Sequence, residues 1–334
     1  MKSFTMFAYL SAAVLFVGCG DGDSSATPDA AVTVDAPAKQ SIVALAQATP
    51  TLSTLVAAVQ FASDNNDLVN LLANPGTLTV FAPSNAAFDA LAVELTNTPT
   101  AKGADLLTAA NKPLLRTVLQ YHVLTSTVQA AGIPFGKAIT SAEGSVFKID
   151  AGAPPKITDG RNRVASITST DIEGSNGVVH LIDKVILPAN KDIVETAQAL
   201  AAANPGEFKL LVEAVIAADL VTTLKGTGPF TVFAPTDAAF AAALTELNVT
   251  KAALFGNKPL LTAVLTYHVV SGRVMKADVP VGAAIATVET GTFTVDATLK
   301  ITDERNRKAG IVATDVFAKN GVVHVIDKVL LPAP

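Results

Sequence analysis

The chain runs through the same order of apolar and polar positions twice. Thr79, Val80 and Phe81 form a β-prone run ending at Pro83, after which Ser84 or Asn85 can cap a helix with Phe88, Leu91 and Leu95 on one face. The order returns at Thr231–Pro235, with Thr236 or Asp237 as cap and Phe240, Leu244 and Leu247 as the stripe. Asn111 and Asn257 are further cap candidates, each followed by a lysine and by a proline that a first helical turn tolerates. The helices they open align Leu115, Val118, Leu119 and His122, and in the second copy Leu261, Val264, Leu265 and His268. ITDGRNRVASITSTDI from Ile157 and ITDERNRKAGIVATDV from Ile301 set β-branched residues around a polar, turn-prone centre, as a hairpin does. A last strand follows in NGVVHLIDKVILP (Asn176–Pro188) and NGVVHVIDKVLLP (Asn320–Pro332). Strands and helices mixed without strict alternation predict an α+β domain rather than a doubly wound parallel sheet.

Corresponding blocks lie 152, 146 and 144 positions apart in one order, which marks a duplicated domain and not a solenoid unit. The expected divisions are a first domain at 41–188 and a second at 189–334. Half of the 334 residues are hydrophobic, enough for two cores that need neither disulfide nor metal.

TVFAPSNAAF, the pair Tyr121-His122 and NGVVHLIDKVILP resemble, in that order, the first conserved motif, the Tyr-His motif and the second conserved motif of the fasciclin domain. The second copy matches through TVFAPTDAAF, Tyr267-His268 and NGVVHVIDKVLLP, so the resemblance covers about residues 41 to 332. It implies two tandem domains, each a wedge-like β-sandwich with helices packed around it. It also implies extracellular or cell-surface adhesion and binding without catalysis. The family's Tyr-His pair is chiefly structural, although it is implicated in adhesion for some members.

Charge narrows the partners. Lys and Arg against Asp and Glu number 9 against 11 in residues 41–188 and 13 against 14 in 189–334, so neither half has the basic excess of a nucleic-acid binder. Residues 1–18 pair Lys2 with an apolar run ending in small residues, the form of a secretory signal. FVGC, Phe16–Cys19, resembles a bacterial lipobox, which implies a lipidated Cys19 as the membrane anchor of an exported protein at the outer membrane or cell surface. Residues 19–40 are rich in Asp, Ala, Ser and Pro, a composition that favours a flexible tether.

All four histidines sit in the repeats. His122 and His268, on apolar helix faces beside Tyr121 and Tyr267, read as neutral imidazoles hydrogen-bonded at the edge of a core. His180 shares a strand face with Val178, Ile182 and Lys184, while Asp183 points the other way and Lys184 lies about 13 Å along the strand, so neither supports a catalytic pair. His324 stands in the same position in the second copy. No HxH, HExxH, CxxC or GxSxG pattern and no phosphate or dinucleotide loop occurs, so no catalytic residue, metal site or cofactor is expected. The duplicated turns carry Arg161 and Arg163, and Arg305 and Arg307, which read either as a surface clamp for a carboxylate or sulfate or as a solvated turn kept soluble by charge. The expected function is adhesion to a cell-surface or matrix protein or polysaccharide. An apolar small-molecule binder, for a pigment or lipid, is the alternative, and a secreted hydrolase comes last.

Overall fold

The computed structural model describes residues 38–73, 75–203 and 206–334. The leader, Cys19 and nearly all of the tether lie outside the described residues. Each copy is built on a seven-stranded sheet. In the first, β1 (Leu78–Pro83), β2 (Val123–Leu124), β3 (Ala138–Thr140), β4 (Val146–Asp150), β5 (Lys156–Thr158), β6 (Val164–Gly174) and β7 (Gly177–Ile182) lie in the order β2-β1-β7-β6-β5-β4-β3. The second repeats that order with β8 (Phe230–Pro235), β9 (Val269–Ser271), β10 (Ala284–Ala286), β11 (Thr292–Val295), β12 (Lys300–Thr302), β13 (Lys308–Ala318) and β14 (Gly321–Ile326). Against the first sheet lie α1 (Ile42–Ala48), α2 (Ser53–Ala62), α3 (Asp67–Ala73), α4 (Asn85–Thr96) and α5 (Lys112–Tyr121). The second domain has α6 (Ile193–Ala201), α7 (Lys209–Ala217), α8 (Val221–Leu224), α9 (Asp237–Glu246), α10 (Lys251–Gly256) and α11 (Lys258–Tyr267).

The α+β expectation holds, and the position of one strand pair explains the layering. β1 runs parallel to β7, and all six of its residues are buried. Parallel strands covered on both faces are continuously apolar for this reason. Val80, Ala82 and Val179 face the helices and share a core with Phe88, Leu91, Leu115 and Leu119. Phe81 and Ile182 point the other way, into a second core with Tyr121, Phe147, Ile149, Ile157 and Ile167. The sheet encloses that second core because β6 pairs first with β5 and then with β7, with register shifts on either side of Ser169. Such irregularities bend a strand, and here they fold one sheet into a wedge.

The caps follow the sequence in part. Ser84 and Thr236 accept from Ala87 and Ala239 N–H at 3.3 and 3.1 Å, while the adjacent Asn85 and Asp237 reach across to Thr54 and Leu210 N–H at 2.9 and 2.8 Å. Asn257 caps α11 through Leu260 N–H, but Asn111 instead donates to the Leu106 carbonyl at 3.1 Å. Leu95 is 44% exposed, since the inward face of α4 is made by Ala87, Phe88, Leu91 and Ala92.

The two domains meet along a specific seam. Asn162 donates to the Phe317 carbonyl at 3.1 Å and accepts from Phe317 N–H at 2.7 Å. Lys148 Nζ lies 3.1 Å from Asp315, whose side chain is 2% exposed, and 3.2 Å from Asp150. Val146, Met275, Phe317 and Val322 form a small apolar cluster beside them. Removing one partner of a buried ion pair leaves the other uncompensated, so Lys148→Ala is expected to lower stability by about 3 kcal/mol. Urea denaturation checks this, and a midpoint equal to that of the unaltered chain would show that the pair carries no weight.

Candidate functional site

Asn176, which opens the last-strand motif, accepts from Ile42 N–H at 2.9 Å and donates to the Leu72 carbonyl at 2.8 Å. Asn320 does the same for Ile193 N–H at 3.0 Å and for the Leu224 and Gly226 carbonyls at 2.8 and 2.7 Å. The amide thus joins the first helix of each domain to the entrance of the closing strand. Gly177 follows at φ 150°, where a Cβ would stand 2.1 Å from the Leu78 carbonyl oxygen, so only glycine lets β7 approach β1.

His180 lies against Phe81, with ring centroids 5.4 Å apart. Its Nε2–H donates to the Val128 carbonyl at 2.8 Å, and its Nδ1 accepts from Asp171 N–H at 3.3 Å, at the irregularity of β6. His324 repeats this with Val274 and Asp315 at 2.9 and 3.3 Å. A carbonyl only accepts and an amide N–H only donates, which assigns the proton to Nε2 in both rings. Burial holds the His324 pKa below its ordinary value.

His122 ends α5 in the opposite tautomer. Its Nδ1–H donates to the Val118 carbonyl at 2.6 Å, and Nε2 accepts from Ile186 N–H at 3.1 Å. His268 makes the equivalent bonds to Val264 and Leu330 at 2.7 and 2.9 Å. Full burial pushes both rings down to a pKa of about 4. The preceding tyrosines are used in the same manner. Tyr121 donates to the Val146 carbonyl at 2.7 Å and accepts from Gly160 N–H at 2.9 Å, and burial raises its pKa. Tyr267 bonds Thr292 and Glu304 at 2.6 and 3.2 Å, and burial pushes it up to about 12.

The duplicated turn is not the solvated hairpin tip suggested by its charges, since Asp159 is 1% exposed and Asp303 4%. Asp159 accepts from Arg161 and Arg163 N–H at 2.9 Å each, from Leu187 N–H at 2.9 Å, and from the Arg163 Nε and Nη2 at 3.0 and 2.8 Å. Arg163 also donates to the Val185 carbonyl at 2.7 Å and to Glu94 at 2.8 Å. Asp303 and Arg307 build the same latch on Leu331, Val329 and Glu246. The paired-arginine clamp therefore does not form: Arg163 and Arg307 are tied inward by a buried carboxylate. Arg161 and Arg305 direct Nε to the Pro188 and Pro332 carbonyls at 3.4 and 2.8 Å.

Histidine, tyrosine, aspartate and arginine thus converge, but on backbone groups of their own domain. Among the described residues no group of three or more His, Cys, Asp or Glu side chains comes together as a metal site.

Between the helices and the sheet, where the alternative reading of an apolar small-molecule binder places its pocket, each domain has a cleft. In the first domain a cleft of about 990 Å³, counting the part open to solvent, is walled by α1, α2, α3, β1 and β7, with Leu45, Leu55, Val59, Leu72 and Val179 in its lining. The second domain has a cleft of about 780 Å³ in the same place, including Leu211, Val215, Val232 and Leu265. Neither lining includes an acidic residue, lysine or arginine.

The Fasciclin domain family model matches residues 50–188 and 206–332, and the chain belongs to that family. It is 32% identical over 259 residues to transforming growth factor-beta-induced protein ig-h3 of Oryctolagus cuniculus, a match covering 77% of this chain and 35% of that protein. It is 45% identical over 150 residues to protein sll1483 of Synechocystis sp., covering 44% of this chain and 79% of the relative. The chain thus spans about a third of the length of ig-h3. A FAS1 domain pair from the insect cell adhesion molecule Fasciclin I aligns with 84% of this chain and 97% of its own, at 18% identity and a TM-score of 0.41.

The buried histidines make stability depend on pH. Because His122 and His268 have folded-state pKa values of about 4, below the ordinary 6.5, the unfolded chain binds protons first on acidification. Their contribution is whole above pH 6.5 and is lost between 6.5 and about 4, by about 3 kcal/mol for each ring. Denaturation midpoints at pH 7 and 4.5 should show this loss, and the double variant His122→Gln, His268→Gln should have a flatter profile. Equal slopes for the two proteins would remove the histidines as its cause.

Proposed function

We propose that the chain is an exported binding protein, held at the cell envelope by a lipid on Cys19, whose two fasciclin domains contact a cell-surface or matrix partner, protein or polysaccharide, without catalysis. The observation that carries this reading is the inward use of the motif residues: Tyr121, His122, His180 and Asp159, with their counterparts, spend their hydrogen bonds on the fold. What remains for function is the outer surface and the way it is presented. A seam that joins the domains displays two surfaces in a constant relation, and two weak contacts then gain from effective concentration. A secreted hydrolase has no support from this arrangement. The purified chain, applied to immobilised matrix proteins, glycan arrays and whole cells, is expected to be retained on at least one class of surface. Retention on none would remove the adhesion reading.

The clefts favour a second reading, in which each domain takes up an apolar small molecule such as a lipid or pigment. Clefts with this apolar lining suit a ligand held by burial of apolar area and not by charge. Protein purified from its own host should then release an apolar compound on solvent extraction, detected by mass spectrometry and absorbance. A colourless, lipid-free preparation rejects this reading and leaves the adhesion reading untouched.

A further inference from the structure

Among the described residues, Arg273 at the domain seam makes no ion pair with a carboxylate. Arg273 lies just after β9, on a segment pinned at almost every residue. Gly272 N–H bonds the Pro229 carbonyl at 2.8 Å, and the Thr231 hydroxyl donates to the Gly272 carbonyl at 2.7 Å while accepting from Val274 N–H at 2.9 Å. His324 Nε2–H holds the Val274 carbonyl at 2.9 Å, and Asp315 accepts from Lys276 N–H at 2.8 Å. Met275, fully buried, packs with Val146 of the first domain. The arginine is thus carried to the seam on a fixed backbone.

Two lysines at this seam are matched: Lys148 pairs with Asp150 and Asp315, and Lys137 with Asp278 at 3.5 Å. Arg273 differs. Its Nε is buried with no hydrogen-bond partner among the described residues. Burial weighs against its charge, and among the described residues Tyr121 of the first domain is the ionisable side chain that bears on it. A partly buried guanidinium left this way is costly. Nor is it a relic of duplication, since the first copy has Thr127 at the corresponding place, one residue before Val128.

We propose that Arg273 binds an oxyanion, a sulfate, phosphate or carboxylate group, at the seam between the two domains. A guanidinium offers planar, paired donors that match such groups, and partial desolvation strengthens the bond. An occupant between the two domains also favours the joined state, because it binds that state and not the separated one. The group can be a free ion or one carried by an acidic polysaccharide, and the chemistry at Arg273 is the same in both cases.

Calorimetric titration of the purified chain with sodium sulfate, at constant ionic strength and with chloride as the competing anion, tests the site. One sulfate per chain is expected, with affinity about tenfold lower or worse in Arg273→Thr, the residue the first copy carries at this position. Arg273→Lys, which keeps the charge but loses the fork, should fall between. Circular dichroism of each variant confirms that the fold is unchanged. A parallel titration with a sulfated oligosaccharide separates the sources: tighter binding than free sulfate assigns the polymer, and equal binding assigns the ion. Equal sulfate affinity in the unaltered chain and Arg273→Thr, or no binding of sulfate, phosphate or acetate in the millimolar range, overturns the proposal. It goes beyond the adhesion reading and fails separately from it, since a chain that adheres yet takes no oxyanion refutes this site alone.

Discussion

The closing segment of each domain runs through the interior outside any sheet, and its backbone must find partners there. Val185, Ile186 and Leu187 are 1 to 2% exposed, as are Leu330 and its neighbours to within 3%. A buried N–H without a partner costs about 1 to 3 kcal/mol. The partners come from two distant elements: His122 at the end of α5 takes Ile186 N–H, and Asp159 in the β5–β6 turn takes Leu187 N–H. Once these bonds are required, the positions of the helix, the turn and the last strand are mutually determined. The parallel pairing of β7 with β1 has the longest separation of any strand pair in the domain, so the segment that comes last in sequence joins elements from all the rest.

This organisation explains which parts of the site were legible in the sequence. Period-2 alternation put His180 and Ile182 on one strand face, and both do face the second core, because a strand buried on both sides offers the side chain no other choice. Helical spacing likewise brought His122 onto the buried side of α5 with Leu115, Val118 and Leu119. The Asp159 latch was hidden for a physical reason. Its partners include backbone amides, which leave no trace in side-chain pattern, and an Asp followed by two arginines looks the same in water as in a latch. Asn111 misled in a similar way: it stands at the start of α5, but its side chain is turned to donate to the Leu106 carbonyl and makes no capping bond. The clefts depend on how far the helices stand from the sheet, and no spacing of apolar residues encodes that distance.

The seam was unreadable from either copy alone, yet it is recorded in how the copies differ. Lys148 corresponds to Thr294 by its pairing partners in the sheet, Met275 to Gln129 at the start of a short 3-10 turn, and Phe317 to Glu173 opposite the first residues of the last strand. In each case the charged or apolar member faces the other domain, and its counterpart is the polar residue of a face that domain does not cover. Asp315 is buried while Asp171, its counterpart, is exposed.

These differences bear on symmetry. A contact in which one repeat uses its front and the next its back is heterologous, and identical repeats joined that way continue into a ring or, where the rotation does not close, a filament. Here the contact is made once, between non-identical faces. The outer ends of the pair carry Glu173 and Gln129 on one side and Thr294 on the other, in place of the phenylalanine, methionine and lysine that complete the inner joint. Divergence after duplication has given the two-domain unit ends whose residues differ from those of its middle, so the contact that joins the pair is not repeated in kind at either end.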